Sequence, residues 1–271
     1  MYGLGVNRLG VTNTYDTFEW EPINLFANSE QGAWYDPSDL STVFQQDGTT
    51  ATIPWTSGDI LDVNRVGKLV DKSGNGNDLF QTTLSKCAVL KYVGGLYYLE
   101  FDGIDDGYQT ASTVDFTGTN SVSVFTGARK EADASEIVVE LSSNVGSNTG
   151  AFKVGPVGGD VWRWTTRGNL TVNANASGYV PPVTSVVTGL SDSATDYSAI
   201  RVDGVEEQVK TNDQGTIGYG DYELNVGAKN NASGSFLEGR IYSLVVRGVL
   251  SNASDIAEAE AYVAAKTGVT I

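Results

Sequence analysis

From about residue 57 to residue 250 the chain is cut roughly every ten positions by Gly, Asn, Asp, Ser or Pro. The runs between the cuts are short, rich in β-branched and aromatic residues, and often alternate apolar with polar. A helix needs ten or more uninterrupted positions, so this punctuation selects strands joined by turns. Strands are expected over 121–128, 136–142, 150–154, 161–166, 222–228 and 239–247. Asp203-Gly204 between 197–202 and 205–209 is the strongest hairpin signal. One stretch escapes the pattern. Residues 253–266 are rich in Ala and Glu, with Ile256, Ala259 and Val263 on one helical face. Ser251 is its expected N-cap, and Lys266 and Gly268 mark its end. The chain therefore reads as an all-β antiparallel sandwich with one C-terminal α-helix, without an internal repeat.

Two loops organise the middle. Leu69 and Val70 lead into Asp71-Lys-Ser-Gly-Asn-Gly-Asn-Asp78, where Gly74 and Gly76 supply backbone freedom. About thirty residues on, Tyr98-Leu-Glu-Phe-Asp102 alternates and then breaks into Gly-Ile-Asp-Asp-Gly107. Both put carboxylates on a sharp bend beside a strand end. This pair of motifs resembles the laminin-G-like, concanavalin A-like jelly-roll superfamily. The segment Gly32-Ala-Trp-Tyr-Asp-Pro-Ser38 is similar to the opening of such domains in tailed-bacteriophage structural proteins. Gly239-x-Ile-x-x-Leu-x-Val246, running through Leu250-Ser251 into the helix, is similar to their closing strand and helix. The resemblance covers about 30–268. It implies a laminin-G-like jelly-roll domain over 29–271, preceded by an arm over 1–28.

Composition narrows the chemistry. Seventeen Lys and Arg stand against 33 Asp and Glu, for a net charge of −16, and the basic residues form no cluster in sequence. That argues against nucleic acid and against anionic membrane surfaces. With no His there is no Ser-His-Asp or Cys-His site and no histidine metal site. Cys87 is single and reads as a small buried hydrophobe. No apolar run reaches the length of a membrane span, and no signal segment opens the chain.

Three constellations remain, each with two readings. Asp71 and Asn75, with Asp102, Asp105 and Asp106, have the oxygen chemistry of a Ca²⁺ site, or they cap turns through side-chain-to-backbone hydrogen bonds. Trp162 and Trp164 share one strand face and Asp160 has their parity, while Arg163 and Arg167 have the other. These five are the candidate glycan platform, and the alternative is that the tryptophans are core. Glu136 and Glu140 share a strand face too far apart for a retaining glycosidase pair, and read as solvated. In the arm, Tyr2, Leu4, Val6, Leu9, Phe18 and Trp20 are candidate docking residues, against an ordinary edge strand.

What the resemblance implies is a non-enzymatic bacteriophage virion protein, tail-associated or capsid-decorating. It would be made in the host cytoplasm and present in several copies, as a homo-oligomer or around the particle. The arm would contact other virion proteins and the sandwich a host-surface glycan. Two alternatives stand beside it: a glycoside hydrolase or lyase of concanavalin A-like fold, and a ligand-free cement protein.

Overall fold

The computed structural model describes residues 20–46, 52–54 and 65–271. Tyr2, Leu4, Val6, Leu9 and Phe18 lie outside the described residues. Two antiparallel sheets face each other, as the turn-cut alternation requires. One has eight strands, in the order Val205–Lys210, Tyr197–Val202, Val183–Asp192, Ser121–Lys130, Glu238–Arg247, Leu96–Asp102, Val89–Val93. Gly32–Tyr35 pairs with the far half of Glu238–Arg247. The other has ten strands, in the order Thr171–Ser177, Val161–Arg167, Ala151–Val157, Val139–Leu141, Leu224–Val226, Tyr108–Thr110, Leu79–Phe80, Val66–Leu69, Val43–Gln46, Thr52–Pro54. The expected hairpin is present, with Asp203 and Gly204 both at positive φ.

Strand alternation sends every second residue between the sheets. Val122, Val124 and Ala128 from one meet Val139, Phe152, Val154, Trp162 and Trp164 from the other. Packing is close enough that a Cβ on Gly189 would lie 2.5 Å from the Trp164 ring. Trp164 Nε1 donates to Leu190 O across the same gap, at 3.1 Å.

The outer face of the eight-stranded sheet is covered by the helix Ala253–Thr267. Ala259, Val263 and Ala264 bury against Phe125, Val186 and Val245. Glu260, also on this side, pairs with Arg201 at 2.8 Å. The helix is capped by Asn252, whose side chain accepts from the N–H groups of Ser254 and Asp255. Ser251, the expected cap, is spent elsewhere: its N–H donates to Ser123 Oγ and its hydroxyl accepts from Arg247. Gly268 ends the helix in the left-handed region as expected.

Near the start, Leu25 and Phe26 join the cluster under the helix, and Trp20 meets Tyr262 edge-on at 6.3 Å. Residues 20–28 are thus part of the sandwich's own packing. Trp34 and Tyr35 are both buried, Trp34 under the helix and Tyr35 between the sheets, because a layer of protein covers each face of their strand.

One carboxylate ties these parts together. Asp71 Oδ1 accepts from Trp34 N–H at 2.9 Å and Ser73 N–H at 2.8 Å. Its Oδ2 accepts from Ser73 Oγ at 2.8 Å and Asn77 N–H at 2.9 Å. Asn75 and Asn77 donate back to Gly32 O at 3.1 and 2.8 Å. The 71–78 loop is therefore a clamp on the Gly32–Tyr35 strand. Asp71→Ala is expected to cost about 3 kcal/mol, since hydrogen bonds to charged groups are the stronger kind and three backbone donors lose their acceptor. Urea unfolding would show a lower midpoint at unchanged slope. A loss below about 1 kcal/mol would show that the loop holds without it.

Candidate functional site

Among the described residues, no α-helix covers the outer face of the ten-stranded sheet. Cross-strand register draws one continuous row over it: Asn173, Thr165, Lys153, Glu140, Asn225, Gln109, Phe80, Lys68, Phe44. Each member has outward parity, so the row follows from strand periodicity once the register is set.

Asn225 is the pivot of the row. Fully buried, it donates to Ser142 O at 2.9 Å and Glu223 O at 3.4 Å. Its Oδ1 accepts from Gln109 Nε2 at 3.2 Å and Asn231 N–H at 2.9 Å. It thereby sets a strand residue and a loop residue side by side. The loop is strained: Asn230, Asn231 and Ala232 stand at φ of 47°, 51° and 57° in succession. Left-handed backbone costs about 1–3 kcal/mol for a residue such as Ala. Contacts that hold it include Lys86 Nζ donating to Ala232 O at 3.3 Å and Ala232 lying against Gly107.

Between these parts opens a pocket of about 180 Å³ lined by Phe80, Gln81, Thr82, Gln109, Thr110, Ala111 and Asn231. Gln81 is locked, donating to Gly107 O at 2.7 Å and accepting from Thr83 N–H at 3.0 Å. Lys68 Nζ sits 5.1 Å from the Phe80 ring centre and 5.5 Å from that of Phe44. The Gln109 amide oxygen and the Asn231 side-chain amide have no protein partner among the described residues. The pocket thus offers an aromatic ring, one pre-set amide in Gln109, the exposed Asn231 amide and a hydroxyl, with no net charge among its lining residues.

The residues singled out in the sequence are placed elsewhere. Trp162 and Trp164 have no exposure and belong to the core, so the glycan platform built on them is withdrawn. Above Trp162, at 5.5 Å from its ring, lies the buried ammonium of Lys130. Arg163 donates to Asn175 Oδ1 at 2.8 Å, and Arg167 Nη1 donates to Gly146 O. Asp160 holds a left-handed turn whose N–H groups are capped by Asp133. Glu136 and Glu140 are buried, not solvated. Glu140 accepts from Val145 N–H, because the loop after its strand folds back over it. Glu136 accepts from Glu238 N–H at 3.2 Å.

The acidic constellation splits. Asp71 and Asn75 form the clamp described above, with both Asp71 oxygens filled by donors. Asp102, Asp105 and Asp106 do converge, their carboxylate oxygens within 4.8 Å of one another. A cation is already present there: Arg65 Nη1 lies 3.2 Å from Asp106 Oδ1. Asp106 Oδ2 accepts from Asp102 N–H at 3.1 Å, and Asp102 Oδ1 from Ile104 N–H at 2.8 Å. This donor-filled, arginine-paired set fits Ca²⁺ poorly. It borders a groove of about 350 Å³ that also touches Glu100, Glu131, Glu238 and Arg240. Burial, with the charge of Asp102 adding, pushes the Asp106 carboxyl up to about 7. Burial likewise pushes Glu136 up to about 7.

No protein-family model matches the chain, and no curated protein does. Among solved structures, an α-L-arabinofuranosidase soaked with a cyclic sulfate inhibitor is similar at TM-score 0.62 and 17% identity, over 91% of this chain and 66% of that one. The botulinum neurotoxin serotype G binding domain is similar at TM-score 0.53 and 11% identity, over 72% of this chain and 48% of that one. A type C botulinum neurotoxin structure, whose cell entry depends on two ganglioside molecules, gives TM-score 0.53 and 13% identity over 77% and 53%. The chain thus spans about half the length of the toxin domains and about two thirds of the arabinofuranosidase. At these identities the likeness is one of fold. It is a β-sandwich likeness.

The expectation of a non-enzymatic bacteriophage virion protein is overturned here. The similar folds are those of arabinofuranosidases and toxin binding domains, with no link to a phage particle. The motifs behind that expectation encode turns and strand ends, such as the Asp71 clamp.

Two measurements follow from the acidic groups. Asp106 and Glu136 have folded-state pKa values raised from 3.8 and 4.5. Their contribution to stability is complete below about pH 4 and fades as pH rises through about 7. The melting temperature of Asp106→Asn should therefore vary less than wild type between pH 5 and 8 on the order of these windows; an unchanged profile would refute the assignment. Excess Ca²⁺ or EDTA should leave the wild-type melting temperature where it is. A Ca²⁺-dependent rise of several degrees would restore the metal reading.

Proposed function

We propose that this chain is a carbohydrate-directed domain that seats one sugar ring over Phe80 on the outer face of the ten-stranded sheet. The observation that carries the proposal is the pocket itself. Its volume of about 180 Å³ suits a ring and not a larger cofactor. The Phe80 ring offers a face for sugar C–H groups, the Gln109 amide is positioned by Asn225 to meet a hydroxyl, and the exposed Asn231 side chain lies at the rim. Strain in the 230–232 turn supports the same reading, because costly backbone persists where its geometry is used. The fold agrees with it: an arabinofuranosidase of this fold was crystallised with an arabinofuranosyl-xylobiose.

Hydrolysis is the second reading, and one arrangement favours it. Asp102 and Asp106 bring their oxygens within 4.8 Å, near the separation of about 5–5.5 Å found in retaining glycosidases. Asp106, pushed up to about 7, retains a proton near neutrality and sits beside the open groove. Arg65 occupies one of its oxygens, so acid catalysis requires that pair to part. Glu136 and Glu140 are too enclosed to serve.

Microcalorimetry against neutral plant and animal glycans, arabinoxylan included, tests the first reading. Phe80→Ala should weaken binding at least tenfold, about 1.4 kcal/mol. Gln109→Ala should weaken it roughly three- to tenfold, the worth of one hydrogen bond. Glycan binding that survives both changes sinks the pocket. Turnover of the same panel, lost in Asp106→Asn, would establish the second reading.

A further inference from the structure

Along the row from the Phe80 pocket, Gln109, Asn225, Glu140 and Lys153 are successive cross-strand partners. Three strand spacings separate Gln109 from Lys153, roughly 14 Å. Arg163 lies on the same face, diagonal to Lys153: it is two residues before Thr165, which pairs with Lys153. Lys229 comes from the turn that also supplies Asn231, and its charge reaches both Glu140 and Lys153.

Arg65, Lys68, Lys72, Arg129, Arg201, Arg247 and Lys266 each have a carboxylate oxygen within 3.2 Å. Among the described residues, no carboxylate lies within 4.0 Å of Lys153, Arg163 or Lys229. Lys86, Lys130, Arg167 and Lys210 also lack a carboxylate partner among the described residues, but Lys86 and Arg167 bond backbone carbonyls and Lys130 lies over Trp162; Lys153, Arg163 and Lys229 differ in lying close together on one face. The one negative group facing them is Glu140, buried on the neighbouring strand and engaged by Val145 N–H. With 33 acidic side chains to draw on, the protein leaves three bases together and unpaired. The arrangement is unfavourable in the free protein. Desolvation lowers the pKa of Lys153, Glu140 offsets this, and Arg163 and Lys229 press it down further. Such frustration is relieved by an anion. The geometry also suits one: Arg163 is fixed through Nε on Asn175 Oδ1 at 2.8 Å, leaving its two terminal nitrogens for a bidentate oxyanion.

We propose that Lys153, Arg163 and Lys229 form a subsite for an acidic sugar, bearing a carboxylate or sulfate, two to three sugar units from the ring over Phe80. The inference rests on the glycan reading above and names the ligand class: a polysaccharide with a neutral unit at one end of the row and an anionic unit at the other.

The test titrates wild type, Lys153→Met/Arg163→Gln and Phe80→Ala with polygalacturonate, heparin and neutral arabinoxylan, at about 50 and about 200 mM NaCl. Wild type should bind an acidic polymer at least tenfold tighter than arabinoxylan at low salt, with the preference shrinking at high salt. The double variant should lose that preference and keep its arabinoxylan affinity; its melting temperature is measured alongside, because Glu140 loses the charge of Lys153 and Asn175 its Arg163 donor. Preference for polygalacturonate over heparin would assign a carboxylate, the reverse a sulfate, and parity a subsite that reads charge; all three support it. Equal affinity for acidic and neutral polymers, or a preference that survives in the double variant, overturns the subsite. Should the double variant fail to fold, a salt-independent wild-type affinity for the acidic polymers overturns it instead. Acidic polymers binding in a Lys153-dependent, Phe80-independent way, with arabinoxylan unbound, would leave the subsite standing and remove the neutral pocket. No binding by any polymer removes both.

Discussion

The carboxylate of Asp71 is the contact on which the architecture depends. Four donors close on its two oxygens, and one of them, Trp34 N–H, belongs to a strand of the opposite sheet. Sandwich sheets are held mainly by the side chains between them, which fix distance well and registration along the strands less well. A buried, directional tie supplies that registration. It places Trp34 under the helix and Tyr35 between the sheets, so the two packed layers of the molecule share a strand whose position one side chain sets.

From that arrangement the division of labour between the faces follows. The eight-stranded sheet gives its outer surface to the helix, and its charges there, such as Arg201 and Glu260, are consumed in pairing. Among the described residues the ten-stranded sheet has no α-helix on its outer face, where loops cover Glu140 and Asn225 and polar residues occupy most outward positions of the row. Lys153, Arg163 and Lys229 lie there without a carboxylate partner among the described residues, while carboxylates at the molecule's corners are locked by Arg65 or by backbone N–H groups.

Much of the fold was legible in the sequence. Turn residues at short intervals gave the sandwich, Asp203-Gly204 its hairpin, and the Ala/Glu run its helix. The face shared by Trp162 and Trp164 was legible too, but parity alone does not say which face is covered. The site was mostly illegible. Phe80 lies in a strand of two residues, too short to show alternation. Asn225 looks like an ordinary outward polar residue, and only contacts to Ser142, Gln109 and Asn231, far apart in the chain, make it a pivot. Glu140 reads as solvated until the following loop folds back on it. Local pattern reports periodicity; it carries no information about which distant loop will close over a given position.

The four hydrogen bonds of Asn225 have a mechanical meaning as well. They join the loop beginning at Ser142 and the turn at Asn231 through one rigid amide, which cannot turn without releasing partners on both sides. The two loops follow strands that are direct neighbours in the sheet, Val139–Leu141 and Leu224–Val226, and one side chain bonds to both. Displacing the turn at Asn231 therefore costs hydrogen bonds at the start of the other loop as well as its own.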